Sequence, residues 1–241
     1  MRLWRIVISV ELCLGLLALV CSAMAVGSFS LSGEHAAAIN SMPLFMWLRE
    51  TPLSISWWLW VVLVLLGLLV LNTVLCSSET LWSRWGRGGW SALFAPQLIH
   101  AGFLLIVLAH LMSAMASSFT AVTVGEMTLA ALPNGSGFGV ASITVATSPQ
   151  GMPLGFSSVL IPDIRRPTER VVISPNHPWF HQGFGVYIKQ AEAYPFKRAL
   201  LEIHHEPGAS MALAGALFFT IGNIMLVTLK SKQRESEVLS A

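Results

Sequence analysis

The chain has 241 residues, of which 54% are hydrophobic and 11% are charged, and its formal net charge is +2. Soluble globular domains carry about 25% charged residues, so this composition excludes an ordinary soluble protein and predicts a membrane protein. The small positive charge gives no support for binding to nucleic acid.

Four stretches are long and apolar enough to cross a hydrocarbon core as helices, which takes ~20 residues for a thickness of ~30 Å. They are Ile6 to Val26, Ile55 to Cys76, Gln97 to Ala116 and Ala209 to Leu229. The first stretch also resembles a cleavable signal peptide, but its length and Glu11 favour a permanent helix. The polar tail after Lys232 is expected to be disordered.

Lysine and arginine residues near the ends of the spans predict the orientation of the chain, because they stay on the cytoplasmic side. Basic clusters precede the first span, separate the second from the third and follow the fourth: Arg2 and Arg5, Arg84 and Arg87, and Lys230, Lys232 and Arg234. Both termini are therefore predicted to be cytoplasmic. The connections Gly27 to Ser54 and Ser117 to Gly208 are predicted to lie on the opposite side, the first of them as a loop.

Residues 117–208 lack long apolar runs and carry turn residues at short intervals, with β-type stretches between them. The predicted strands are Phe119 to Val124, Gly139 to Ala146, Phe156 to Ile161, Arg170 to Ile173, Val186 to Gln190 and Arg198 to His204. The predicted fold is thus a membrane protein of four transmembrane α-helices plus an extracytoplasmic all-β domain, a small sandwich or open barrel. Its three parts are a three-helix region (1–116), the β-domain (117–208) and the fourth helix with its tail (209–241).

Polar side chains inside the spans are the candidate functional residues, because a polar group in hydrocarbon is costly unless it is paired or used. Glu11, Asn72, His100 and Asn223 lie at similar depths, so a bundle would gather them into one layer near the cytoplasmic side. The alternative is a packing layer that only joins the helices. His110 is ~15 Å further along the third helix than His100 and ~80° around it, so the two cannot ligate one ion.

Other metal-ligating residue types give weaker signals. The three cysteines form no Cys-x-x-Cys pair, and no redox or zinc role is expected for them. The histidines of the β-domain lack a supporting cysteine or acidic pair and are interpreted as solvated surface residues: His177, His181, His204 and His205.

Four motifs in a fixed order cover nearly the whole chain. They are the end of the second span at Leu71 to Cys76, the His100-Ala101-Gly102 start of the third, the stretch Asn176 to Gln190, and Glu206-Pro207-Gly208 before a span with Gly215 and Gly222. Together they resemble the ResB/CcsB family, the membrane subunit of the System II cytochrome c maturation machinery. The chain departs from the family in its shorter outer domain and in Lys189-Gln190, where Tyr-Gln is commoner.

The resemblance implies that a transmembrane histidine is an axial ligand of haem b in transit, with His100 the best positional match and His110 the second. It also implies a CcsA-type haem-handling partner, apocytochrome c as client, and a bacterial cytoplasmic membrane with the β-domain in the periplasm. The chain is not expected to be an enzyme by itself, because the tryptophan-rich haem-handling motif belongs to the partner. The alternative function is a non-haem scaffold or assembly factor whose β-domain binds a client protein.

Overall fold

The computed structural model describes residues 2–39, 42–86, 90–149 and 153–240. The chain divides into two compact units, one of residues Met1–Met115 with Gly208–Ala241 and one of Ala116–Pro207. Arg87, part of the predicted basic turn, lies outside the described residues. The helices of the first unit are α1 (Arg2–Val7), α2 (Val10–Ser30), α3 (Gly33–Ala38), α4 (Leu44–Glu50), α5 (Leu53–Arg84), α6 (Trp90–Ala116) and α7 (Ala209–Ser240).

The prediction of four membrane-crossing helices is confirmed at the level of length and hydropathy. Within the described residues, α2, α5, α6 and the part of α7 up to Glu235 are long and apolar enough to span a bilayer. The first predicted span is divided, because α1 ends at Val7 and α2 begins at Val10. Ser9 caps α2 by accepting a hydrogen bond from Leu12 N at 3.1 Å. Continuous hydrophobicity does not reveal such a break.

The connection predicted as a loop between the first two spans contains the short helices α3 and α4. Trp47 of α4 is 1% exposed, and its indole N–H donates to the carbonyl of His35 at 3.2 Å. It shares a buried cluster with Trp58 of α5. A Cβ atom at Gly27 of α2 would collide with the Trp58 ring, so α2 and α5 approach closely there. The loop prediction was wrong because aromatic burial, which has no periodic signature in so short a segment, holds the two helices.

Helices α6 and α7 pack through small residues that recur every seven positions, along α6 and from Gly208, just before α7, into α7. The facing pairs are Ala109 with Gly208, Gly102 with Gly215, and Ala95 with Gly222. Along the contact, the residue numbers decrease on α6 while they increase on α7, so the two helices are antiparallel. A Cβ atom at Gly102 would lie 2.5 Å from Phe219 N and 2.6 Å from Gly215 O. Backbone contact of this kind is the usual way in which membrane helices associate without a hydrophobic driving force.

Helix α7 continues beyond its apolar part to Ser240, so the prediction of a disordered tail was wrong. The tail after Leu229 is rich in lysine, glutamine, arginine and glutamate, which have good helix propensity. Extending an existing helix avoids the nucleation cost that an isolated polar segment would meet.

The second unit is a β-sandwich, one of the two folds predicted for it. Its strands are β1 (Ser118–Gly125), β2 (Thr128–Ala131), β3 (Gly137–Thr147), β4 (Pro153–Ile161), β5 (Val171–Ile173), β6 (Trp179–His181), β7 (Phe184–Glu192) and β8 (Arg198–His205). Two antiparallel sheets have the orders β1-β8-β7-β6 and β2-β3-β4-β5. Ser118 pairs with His205, so both chain connections to the helices leave from one end of the sandwich.

Alternate residues of both sheets form one core, as expected when each sheet buries one face. Its most buried members, each at 0% exposure, are Phe138, Ile143, Leu160, Ile173, Val186 and Leu201. The turn after β1 joins the sheets: the Glu126 carboxylate accepts the Ile143 N–H at 2.9 Å and Lys197 Nζ at 3.0 Å. These two hydrogen bonds, the backbone one first, hold the pKa of Glu126 below its ordinary value.

Six of the strands overlap the predicted ones, whereas β2 and β6 were not predicted. Both are short, with four and three residues. Strand β6 is joined to β7 by the two-residue loop Gln182-Gly183, in which both residues have positive φ (49° and 83°). This is the backbone of a type I′ hairpin turn, whose hand matches the strand twist. Gln182 Oε1 also accepts a hydrogen bond from Asn134 Nδ2 at 2.8 Å.

Gly183→Val is expected to destabilise the sandwich by about 1–2 kcal/mol, because a β-branched residue must be forced into the left-handed region. The midpoint of thermal loss of the β-sheet infrared band, measured on the full chain in detergent, should fall. Gly155→Val is the matched control, since nothing lies within 4 Å of a Cβ atom there and φ is ordinary. Equal midpoints for the two variants would contradict the turn assignment.

Candidate functional site

His100 of α6 is hydrogen-bonded to Ser77 of α5, with 2.6 Å between Nδ1 and Oγ. The imidazole is half-buried. Among the described residues, its Nε2 has no hydrogen-bond partner. If Ser77 donates to Nδ1, then Nε2 carries the ring proton; if Nδ1–H donates to Ser77, then Nε2 presents a lone pair. Only the second tautomer can ligate a metal through Nε2, and the Ser77 hydroxyl, which can both donate and accept, is compatible with it.

Helix geometry places His100 on the side of α6 away from α7. At 100° per residue it lies about 160° around the helix from Gly102, which is in the middle of the contact with α7. The contact with Ser77 assigns that opposite side to α5. Helix α6 is therefore held by backbone packing on one side and by a polar contact on the other.

Gln97 lies one turn before His100 on the same side of α6. Its side-chain nitrogen Nε2 is fully buried, and no hydrogen-bond partner for it is found among the described residues. Residues three apart are neighbours on a helix surface. Helix geometry thus places Gln97 on the side of α6 where Ser77 meets His100, and these three residues are called the α5–α6 polar group below.

His110 is exposed on the surface of α6, and its Nδ1 lies 2.8 Å from the carbonyl oxygen of Ile106. A carbonyl only accepts, so Nδ1 carries the proton and Nε2 presents its lone pair. A backbone carbonyl bound to Nδ1 is a common arrangement for histidines that ligate metals through Nε2. His110 is thus a second imidazole with a defined tautomer at a different depth.

The other members of the predicted polar layer make separate contacts. Asn72 is 3% exposed and its Nδ2 donates to the carbonyls of Val7, at 2.6 Å, and Ser9, at 3.4 Å. Asn72 thereby satisfies two backbone carbonyl groups at the break between α1 and α2. Asn72 lies about 140° around α5 from Ser77, so it faces a different neighbour.

Glu11 and Asn223 also do not bond to His100. Glu11 is exposed in the first turn of α2. Asn223 Nδ2 donates to the carbonyl of Phe219 in its own helix at 2.8 Å. The structure therefore brings Ser77 to His100, with Gln97 one turn away on the same side of α6, and it gives Asn72 a structural bond elsewhere.

Ser77 and Gln97 were not selected from the sequence. Ser77 follows the predicted end of the second span, and Gln97 is the first residue of the predicted third span, so both were treated as boundaries. The one sequence feature that could have identified Gln97 is its polar amide side chain, which lies seven residues after the start of α6. No sequence signal identifies Ser77 as the partner of His100, since that contact joins residues 23 positions apart.

In the described part of the chain, no three His, Cys, Asp or Glu side chains converge as a metal site would need, and the histidines of the sandwich make other contacts. His205 Nδ1 bonds to the carbonyl of Gly183 at 3.0 Å, and His181 stacks on Trp179 with ring centroids 5.0 Å apart. His177 lies in a turn and pairs with Ser174.

His204 belongs to a row of rings across four neighbouring strands, formed by Phe119, His204, Tyr187 and Phe180. Successive centroids are 5.0, 5.2 and 6.1 Å apart, each pair edge to face. A Cβ atom at Gly185 would lie 2.8 Å from Tyr187 and 3.0 Å from Phe180. Glycine there gives these two rings room, which is a physical reason for this residue in the predicted Asn176 to Gln190 motif.

Neither a protein-family model nor a curated protein sequence matches this chain. Among solved structures, the chain is similar to one described as "Cytochrome c Heme Lyase CcmF", with a TM-score of 0.43 and 14% sequence identity. The match covers 81% of this chain and 35% of that protein, so the chain spans about a third of its length. This likeness assigns no role to any residue of the present chain.

Proposed function

We propose that this chain is a membrane subunit of a cytochrome c maturation machine and that it offers a transmembrane histidine to the iron of haem in transit. The order of motifs shared with the ResB/CcsB family supports the proposal. The observation that carries it is His100, whose Nδ1 is bonded to Ser77 while Nε2 has no partner in the described residues. Nothing else in the described part of α5 and α6 uses that nitrogen.

His100 is the ligand that we propose first, and His110 is the alternative. The chain offers one imidazole at each depth, so a haem held by two axial histidines needs the second from another protein. A CcsA-type partner in the membrane is proposed as its source. Two nitrogen ligands occupy both axial positions of the iron and so protect the haem, here the cargo haem b, from reaction with oxygen while it is carried.

The sandwich is proposed to face the periplasm, where apocytochrome c receives its haem. Covalent attachment adds the S–H group of each of two reduced client cysteines across a vinyl C=C bond of the haem, so that one carbon takes the sulfur and the other takes the hydrogen. The partner's tryptophan-rich segment is proposed to present the haem for this addition. The role of this chain is to hold a ligand in the membrane and an accessory domain beside the client. It is therefore proposed as a subunit of a synthase and not as an enzyme by itself.

The orientation has a direct test. Because the Lys/Arg clusters predict cytoplasmic termini, an alkaline phosphatase fused after Asn134 should be active, and one fused after Trp90 should be inactive. Phosphatase folds only after export, so activity reports the side of the membrane. The reverse pattern would place the sandwich in the cytoplasm, away from apocytochrome, and would remove this part of the proposal.

The absorption spectrum of the full chain, purified together with its CcsA-type partner, tests the function. A Soret band with the sharp reduced bands of bis-histidine haem is expected. The alternative function, a scaffold or assembly factor whose β-domain binds a client, predicts no haem. A colourless complex that still supports cytochrome maturation would favour this alternative.

Ser77→Ala is expected to weaken haem retention by about tenfold, because removing the partner of a metal-bound histidine typically costs ~10–100-fold in affinity. The reduction potential of the haem should rise, since a less basic imidazole stabilises ferric iron less. Ser77→Thr keeps the hydroxyl and should restore both properties. If Ser77→Ala changed expression but neither property of the remaining haem, the hydroxyl would be structural only.

A further inference from the structure

The buried side-chain nitrogen of Gln97 has a hydrogen-bonding capacity that the described part of the chain does not use. A buried amide N–H without an acceptor destabilises the protein by the full free energy of its lost hydration. We therefore infer that the acceptor belongs to another molecule. Trp58 Nε1 is the other buried nitrogen without a partner in the described residues. Trp58, however, lies in an apolar cluster with Trp47, Leu59 and Val62. Gln97 instead lies one helical turn from His100, on the same side of α6.

The position of Gln97 relative to His100 limits what that partner is. The two residues are about 4.5 Å apart along the axis of α6 and about 60° apart around it. Both lie on the side opposite the contact with α7, where Ser77 of α5 bonds to His100. A molecule bound at His100 Nε2 therefore has a hydrogen-bond donor about one helical turn from its point of attachment.

We propose that Gln97 is a ligand-binding residue, whose side-chain amide donates to a carboxylate oxygen of the molecule that His100 holds. This proposal rests on the proposed function, in which that molecule is an iron porphyrin. An amide nitrogen only donates, so it suits an acceptor, and a charged acceptor makes the stronger hydrogen bond. Gln97 then selects iron porphyrins that carry propionate groups over those that carry only alkyl groups.

The test compares two iron porphyrins on the full-length chain in detergent. One is haemin, which has two propionates, and the other is iron octaethylporphyrin, which has none. Gln97→Leu should weaken the binding of haemin by about tenfold, as expected for a hydrogen bond to a charged group, and should leave the alkyl porphyrin nearly unchanged. Gln97→Glu should weaken haemin binding further, since two carboxylates repel each other.

Asn223→Leu is the matched control, because it removes an amide of α7 that is already bonded to Phe219 O of its own helix. It should alter the binding of neither porphyrin. An equal loss of both porphyrins in Gln97→Leu, or no loss of either, would overturn the assignment of Gln97. His100→Ala in the same titration separates the two proposals, since wild-type binding of both porphyrins by that variant would overturn the proposed function itself.

Discussion

His100→Ala is expected to remove most of the haem that co-purifies with the complex, a larger loss than the ~10–100-fold expected when only a supporting partner is removed. The variant loses the Fe–N bond and leaves a cavity at the α5–α6 polar group. The chain should still insert, because α6 keeps its apolar length and its backbone contact with α7. The haem content per complex and the yield of mature cytochrome c measure the effect.

Imidazole added to His100→Ala should restore part of the haem and of the activity. The free base is small enough to enter the cavity left by the side chain and supplies the missing nitrogen. A histidine that only bonded Ser77 would gain nothing from this treatment, because no ligand to iron would be missing. Rescue by imidazole thus distinguishes a ligand from a packing residue.

His110→Ala is the paired variant on the same helix, and its haem spectrum is expected to stay close to that of the wild type. The proposal for His100 is falsified if His100→Ala retains wild-type haem and wild-type cytochrome maturation. If His110→Ala alone lost both, the ligand would be His110, whose tautomer is already set by the Ile106 carbonyl.

Gly102→Leu is expected to destabilise the helical unit by about 3 kcal/mol or more, at the upper end of the range for overpacked sites. The new side chain meets the backbone of Phe219 and Gly215, which cannot move aside without separating α6 from α7. Resistance of the full chain to unfolding in mixed detergent micelles measures the change. The yield of the complex should fall with it.

Gly67→Leu provides the comparison for Gly102→Leu, because it makes the same substitution on α5 at a position where nothing lies within 4 Å of a Cβ atom. Leucine has the better helix propensity, so this variant should be neutral or slightly more stable. Equal losses in the two variants would show that the close approach of α6 and α7 does not hold the unit together.

Local patterns predicted much of the fold because each segment must satisfy its own backbone hydrogen bonds and bury its own apolar side chains, whatever the rest of the chain does. Backbone polar groups in hydrocarbon must be satisfied within a helix, so apolar length identified the membrane-crossing helices. Alternating β-branched and aromatic residues between turn residues identified six strands of the sandwich. The short strands β2 and β6 were not predicted, because neither has a run of β-branched residues such as Val171 to Ile173 of the equally short β5.

The sequence by itself determined the membrane class, the four candidate spans and the β-rich character of residues 117–208, since these depend on residue types and short-range periodicity. Only the tertiary structure decided which polar residues meet. Asn72 and His100 share a predicted depth, but their bonds go to different helices, and a difference of about 140° around α5 separates Asn72 from Ser77. The neighbour that each side of a helix faces depends on how whole helices pack, and no local pattern encodes it.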